Sequence, residues 1–301
     1  MPPQYPKQKM PKKTNHQKNY NTTFQNILTL FLTSAVAIIC TVLYFKVDGD
    51  VNIKNLTNSF LIGIIAQLID GAIGMAYGLT ATTFLLSQGV SPIVASSSIH
   101  IAEVFTTGAS GLSHWRLNNI DKKLFLNLIF PGIIGGLVGV FILTNIDGKI
   151  LKPWISIYLA LMGIFIIFKA LKKRVFINKI NAKKITPLAL AGGIIDAIGG
   201  GGWGPVVTTT LLSRGHEPKK TIGSVNSAEF FITTSTGFSF AIFVGINEPE
   251  IIAGLILGGI ISAPFAAKIT TRLPTSLLMI IVGTVIASLS VITILKNFGL
   301  F

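Results

Sequence analysis

The chain has 301 residues, half of them hydrophobic and only 12% charged, with a mean hydropathy of +0.68. A water-soluble domain carries roughly a quarter charged residues, so the composition excludes one and points to an integral membrane protein. The net charge of +14 and pI near 9.9 raise nucleic acid as a partner. That is excluded by the placement of Lys and Arg in short segments between apolar runs, a pattern of membrane topology.

Residues 1–23 are polar, rich in Lys, Asn, Gln and Pro and free of acids, and read as a disordered basic tail. The apolar run 24–45 follows. Its small patch Ser34–Ala37 raises a cleavable signal peptide, yet it sits mid-run and about 22 apolar residues exceed the core of such a peptide. We read an uncleaved anchor helix. Cys40 is the single cysteine, so a disulfide framework and a cysteine metal site are both excluded.

Further runs of spanning length, roughly 20 residues, lie near 94–116, 124–144, 153–170, 221–244, 251–268 and 276–296. Two other apolar stretches, 59–88 and 187–213, are interrupted by glycines between Gly71 and Gly78 and between Gly199 and Gly204. Glycine weakens a helix and Pro205 cannot donate a backbone hydrogen bond, so each stretch breaks there. A broken stretch of that length can enter the membrane and return as a hairpin.

The two interrupted regions are copies. Residues 70–113 align without a gap to 196–239 at a constant offset of 126, taking Asp70 to Asp196 and Glu103 to Glu229. Gly74, Gly78, Thr82 and Thr83 fall on Gly200, Gly204, Thr208 and Thr209 in the same register. The positive-inside rule orients them. With a cytoplasmic N-terminus and both hairpins returning to the side they left, 20 of the 25 basic residues fall on the cytoplasmic side. The first copy then starts outside and the second inside. The expected fold is an all-α integral membrane protein built on an inverted repeat of a glycine-broken helical hairpin plus transmembrane helices. It has about seven full spans and two hairpins, eight or nine hydrophobic segments in all. Its parts are the tail 1–23, the first helix 24–45, a membrane repeat over 59–170 and a second over 187–296.

Four consecutive glycines, Gly199, Gly200, Gly201 and Gly202, precede Trp203, Gly204 and Pro205. Bare backbone at membrane depth is tolerated only where it is buried in protein or lines a cavity. Packing alone does not call for four glycines in a row, which favours a ligand-lining role. Helices restarting after each break would aim N–H groups at an anion, with Thr208, Thr209, Thr82 and Thr83 adding hydroxyls and Tyr77 and Trp203 walling the pocket. Glycines such as Gly132, Gly136, Gly254 and Gly258 read instead as close helix crossings.

A carboxylate at the bilayer centre costs on the order of 2.5–3.5 kcal/mol, and four are expected there. Glu103 and Glu229 lie among polar neighbours, with His100 one turn before Glu103 and Asn226 before Glu229. They are candidates for proton or cation coupling, beside a second reading in which they only hold the hairpins. Asp70 and Asp196 precede the breaks and read as caps for the restarting helices. His114, Trp115 and Arg116 read as interfacial anchors.

On these residues the chain resembles the TauE/SafE family of bacterial membrane proteins, the sulfite exporters. The resemblance rests on the hairpins Asp70–Gly89 and Asp196–Gly215, each followed by a helix carrying Ala102-Glu103 or Ala228-Glu229, and spans roughly 59–296. It implies a multi-pass protein of the bacterial inner membrane that moves a small sulfur-containing or organic anion such as sulfite or a sulfonate. Met75 and Ala76 depart from the glycine pattern in the first break, so the second is expected to carry more of the substrate contact. Coupling to a proton or ion gradient is expected, because no nucleotide-binding loop is present. A cation transporter or channel using the two glutamates is the alternative. An intramembrane enzyme is disfavoured by the lack of a His-Glu-x-x-His or Gly-x-Ser-x-Gly motif. The partners expected are a small anionic substrate and the lipid bilayer, with no cofactor or metal; a homo-oligomer is compatible with the pattern.

Overall fold

The computed structural model describes residues 52–73, 75–171, 182–270 and 274–300. The expected tail (1–23) and anchor helix (24–45) lie outside these residues, as do Gly74 and residues 172–181, which hold Lys172, Lys173, Arg174 and Lys179 of the basic residues counted on the cytoplasmic side. Among the described residues there is no strand. The chain runs as α1 (Ile53–Ile73), α2 (Tyr77–Ser87), α3 (Pro92–Arg116), α4 (Lys122–Asn145) and α5 (Gly148–Leu171). It continues as α6 (Ala182–Gly199), a π-helical turn (Gly204–Thr208), α7 (Thr209–Ser213), α8 (Pro218–Phe243), α9 (Pro249–Thr270) and α10 (Thr275–Asn297).

Local chemistry sets these limits. Pro92, Pro218 and Pro249 open α3, α8 and α9, where a missing N–H is harmless and the fixed φ suits the first turn. Asp121 caps α4, its carboxylate accepting from the N–H groups of Lys123 (2.9 Å) and Leu124 (3.2 Å). The breaks fall where the sequence places them, after Ile73 and after Gly199.

Three helices, α4, α5 and the Ser276–Asn297 part of α10, are long and apolar enough to cross a membrane. They turn Phe130, Phe141, Trp154, Phe168 and Ile281 outward. The six spanning runs expected from 94 to 296 each form one continuous helix, but α3 and α8 are too polar to qualify on composition. Their polar groups are internal: Ser96, Ser98, His100, Glu103, Ser224, Ser227, Thr233 and Thr236 are all buried. Along α8 the hydroxyls of Thr233, Thr234, Ser235, Thr236 and Ser239 each donate to the carbonyl four residues earlier, which satisfies them without water.

α1 packs along α9, α6 along α4, α5 against α10, and α3 against α8. Glycines permit the first two contacts. A Cβ on Gly254 would lie 2.6 Å from the Leu56 carbonyl oxygen, and one on Gly139 would lie 2.7 Å from that of Ile194. At one end of the bundle α1 and α9 begin together, where the Asn52 N–H and the Asn55 amide donate to Glu250 (3.3 Å) and Glu248 (3.4 Å). At another point the end of α3 and the start of α4 meet the start of α8, with the Asp121 N–H donating to Ser224 Oγ at 2.8 Å. In the middle, Thr107 and Thr233, equivalent residues of the two copies, bring their hydroxyls to 3.4 Å.

Candidate functional site

Each interrupted helix is tied across its own break by an aspartate at its C-terminal end. Asp70 accepts the Tyr77 N–H at 3.3 Å and Asp196 accepts the Trp203 N–H at 2.9 Å, in both cases seven residues on. A carboxylate at the start of the restarting helix satisfies an orphan donor and complements the helix dipole. The glycines of the second break then meet the start of α2. A Cβ on Gly78 would lie 2.6 Å from the Gly200 carbonyl oxygen and 2.7 Å from Gly201 Cα, so the two breaks touch backbone to backbone.

The exposed carbonyls of the second break are taken up by side chains from elsewhere. Ser96 donates to the Ala197 carbonyl (2.6 Å), Thr82 to that of Gly200 (2.6 Å) and Tyr158 to that of Gly201 (3.1 Å). Buried backbone carbonyls without such partners would each cost about 1–3 kcal/mol. On the other face, the Tyr77 hydroxyl donates to the Leu255 carbonyl at 3.2 Å.

Between the two breaks and the α3–α8 crossing lies a cavity of about 20 Å3, room for roughly one water. All four carboxyl groups line it: Asp70, Glu103, Asp196 and Glu229. Ala76, Tyr77, Gly78, Leu79, Thr106, Thr107, Gly201, Gly202, Gly204 and Pro205 complete the wall. Glu103 and Asp196 are buried, whereas Asp70 and Glu229 are only half-buried. Glu103 accepts the Gly78 N–H, and its Oε2 has no hydrogen-bond partner among the described residues.

His100 is fully buried with Nε2 3.3 Å from Asp196 Oδ2. Its Nδ1 lies 2.8 Å from the Ser96 carbonyl oxygen. A carbonyl only accepts, so Nδ1 carries a hydrogen. Nε2 then faces a carboxyl oxygen, and that contact is attractive only when a further proton sits on the imidazole or on the acid. At the equivalent place in the second copy stands Asn226, whose amide donates to Ser110 Oγ (3.1 Å) and stays away from the cavity.

Of the residues singled out in the sequence, the structure gathers Asp70, Tyr77, Gly78, Glu103, Asp196, Gly201, Gly202, Gly204, Pro205 and Glu229 around one cavity. The hydroxyls behave differently. Thr82 holds the Gly200 carbonyl, while Thr83 and Thr209 donate to the carbonyls four residues back, of Leu79 and Pro205. Thr208 Oγ1 is buried without a hydrogen-bond partner among the described residues, outside the cavity lining. Trp203 is fully buried with its indole N–H on the Val225 carbonyl (3.2 Å), and it packs against Gly132 instead of walling the cavity.

Packing does call for four glycines in a row. A Cβ at Gly199 or Gly202 would strike the Tyr158 ring or hydroxyl, and Gly200 and Gly201 have φ of +62° and +152° with Thr82 and Gly78 against them. The sequence offered no signal for Tyr158, which lies in an otherwise apolar run. Thr106 and Thr107 carried one, since they sit on the Glu103 face of α3 at helical spacing.

A helical bundle with lipid-facing apolar helices outside, two interrupted helices meeting inside and buried carboxyls around their junction defines a membrane transporter. Residues 59–293 match the family described as sulfite exporter TauE/SafE. The chain is 40% identical over 255 residues to the probable membrane transporter protein YtnM of Bacillus subtilis (strain 168), covering 81% of this chain and 84% of that one. It belongs to the TauE/SafE family. No solved structure matches it.

Proposed function

We propose that the chain is a secondary transporter that carries a small anion, sulfur-containing or organic, across the bacterial inner membrane with the movement of protons. The observation that carries this reading is the cavity between the two breaks, where restarting helices and four carboxyl groups meet. Helix N-termini favour an anion. The carboxyl groups oppose it unless they are protonated as it enters, so substrate and protons are bound together. The His100–Asp196 contact, which needs a proton to be attractive, supplies a place for one.

The two copies form an inverted pair in this reading. α1 shares its starting end with α9, and α6 runs beside α4, whose start meets that of α8. The hairpins therefore enter from opposite sides, and Thr107 facing Thr233 marks the axis between them. The α3–α4 and α8 ends face the cytoplasm in this reading, because Arg116, Lys122, Lys123, Lys219 and Lys220 gather there, and the expected anchor helix 24–45 would put the N-terminus on the same side.

The four carboxyl groups also favour a second reading, transport of a cation, although no group of three His, Cys, Asp or Glu side chains forms a metal centre among the described residues. Vesicles containing the purified protein separate the two. Uptake of sulfite, sulfate, thiosulfate, taurine or sulfoacetate that rises with an imposed pH gradient is the expected result, with Glu229→Gln abolishing the rise. Sodium or potassium flux without uptake of any of these anions would overturn it.

A further inference from the structure

Where α3 ends and α4 and α8 begin, two cavities of about 250 and 220 Å3 share Trp115 and Phe125 in their walls and so form one groove. Its inner part is apolar, between Gly108 and Leu112 of α3 and Phe230 and Phe231 of α8. Its outer part reaches Lys122 and Lys220. Trp115, at the rim, is 65% exposed. The groove shares no lining residue with the transport cavity.

We propose that this groove binds one anionic phospholipid, its acyl chain between α3 and α8 and its phosphate between Lys122 and Lys220. Charge selects the occupant. Lys122–Lys123 and Lys219–Lys220 occupy the first turns of α4 and α8, the positive ends of those helices, where cations are unfavourable to the helix itself. The Lys220 ammonium donates to the carbonyls of Asn118 (2.7 Å) and Ile120 (3.3 Å), which fixes it at the mouth and leaves its third hydrogen for a phosphate. A basic pocket between membrane helices with an apolar interior suits an anionic headgroup on a chain and not a free ion. An aromatic side chain at the rim is placed as interfacial tryptophans are.

Tryptophan quenching tests this directly. The chain has three tryptophans, and Trp203 is fully buried while Trp154 is exposed. In Trp154→Phe protein, Trp115 is therefore the lipid-facing reporter. In vesicles of phosphatidylcholine with a fixed fraction of brominated lipid, brominated phosphatidylglycerol should quench Trp115 at least about twofold more than brominated phosphatidylcholine. Lys122→Gln/Lys220→Gln should bring that ratio to one, and Lys149→Gln/Lys152→Gln, at the start of α5, should leave it unchanged. Equal quenching by the two lipids in the lysine-intact protein would overturn the proposal. So would a preference that survives the Lys122/Lys220 double substitution.

Discussion

After α1 the chain turns through Met75 and Ala76, with Ala76 at φ +90°; after α6 it turns through four glycines, two of them with positive φ. The first break places a side chain in the left-handed region, where an L-residue pays about 1–2 kcal/mol. The second avoids that strain but strips four residues of side chains. It is then held from outside by Ser96, Thr82 and Tyr158, two from the first copy and one from α5. Its aspartate bond is also the shorter, 2.9 against 3.3 Å, and has His100 behind it. Two segments that diverged from one pattern have become a break that carries backbone strain and a relaxed break whose bare carbonyls are held by side chains from elsewhere.

The largest effect on this contrast should come from Gly201→Leu. Its side chain would enter the backbone of Gly78 and Leu79 at a φ that leucine disfavours. A fall of at least about 10 °C in the detergent melting temperature is expected. Next comes Asp196→Asn, which replaces the acceptor of a buried N–H with a weaker one and should cost about 1–3 kcal/mol in denaturant unfolding. Asp70→Asn should cost less. Equal losses from the two would break the contrast. Thr82→Val, isosteric but unable to donate, should cost about 1–3 kcal/mol by leaving the Gly200 carbonyl bare. The smallest change is Ala76→Gly, expected to raise the melting temperature slightly as about 1 kcal/mol of strain is relieved. A loss of stability there would mean that the Ala76 methyl packs better than its backbone angle costs.

Much of this was legible in the residues. The interruptions, the duplicated register and the four acids came from glycine, offset and burial cost, and the structure places those acids around one cavity. What misled was treating each side chain by its neighbours in sequence. The threonines looked free to meet a ligand, but in an apolar bundle a hydroxyl is first claimed by a carbonyl four residues back or by bare backbone across the interface. Trp203 looked like a pocket wall; the space beside Gly132 and Gly192 receives it instead. The glycine run read as more than packing needs because Tyr158, which fills against two of those glycines, is more than 40 residues away in sequence. Long-range partners of that kind leave no local periodicity.

The contact of Gly78 with Gly200 and Gly201 has a kinetic consequence. A constriction closed by a side chain opens by a rotamer change in nanoseconds. Here main chain lies against main chain, with no rotatable side chain between. Parting it requires one hairpin to move as a body, on the microsecond to millisecond scale of collective helix motion. Brief thermal flickering does not part such a seam, so in the proposed transport cycle its slow opening would set a ceiling on turnover.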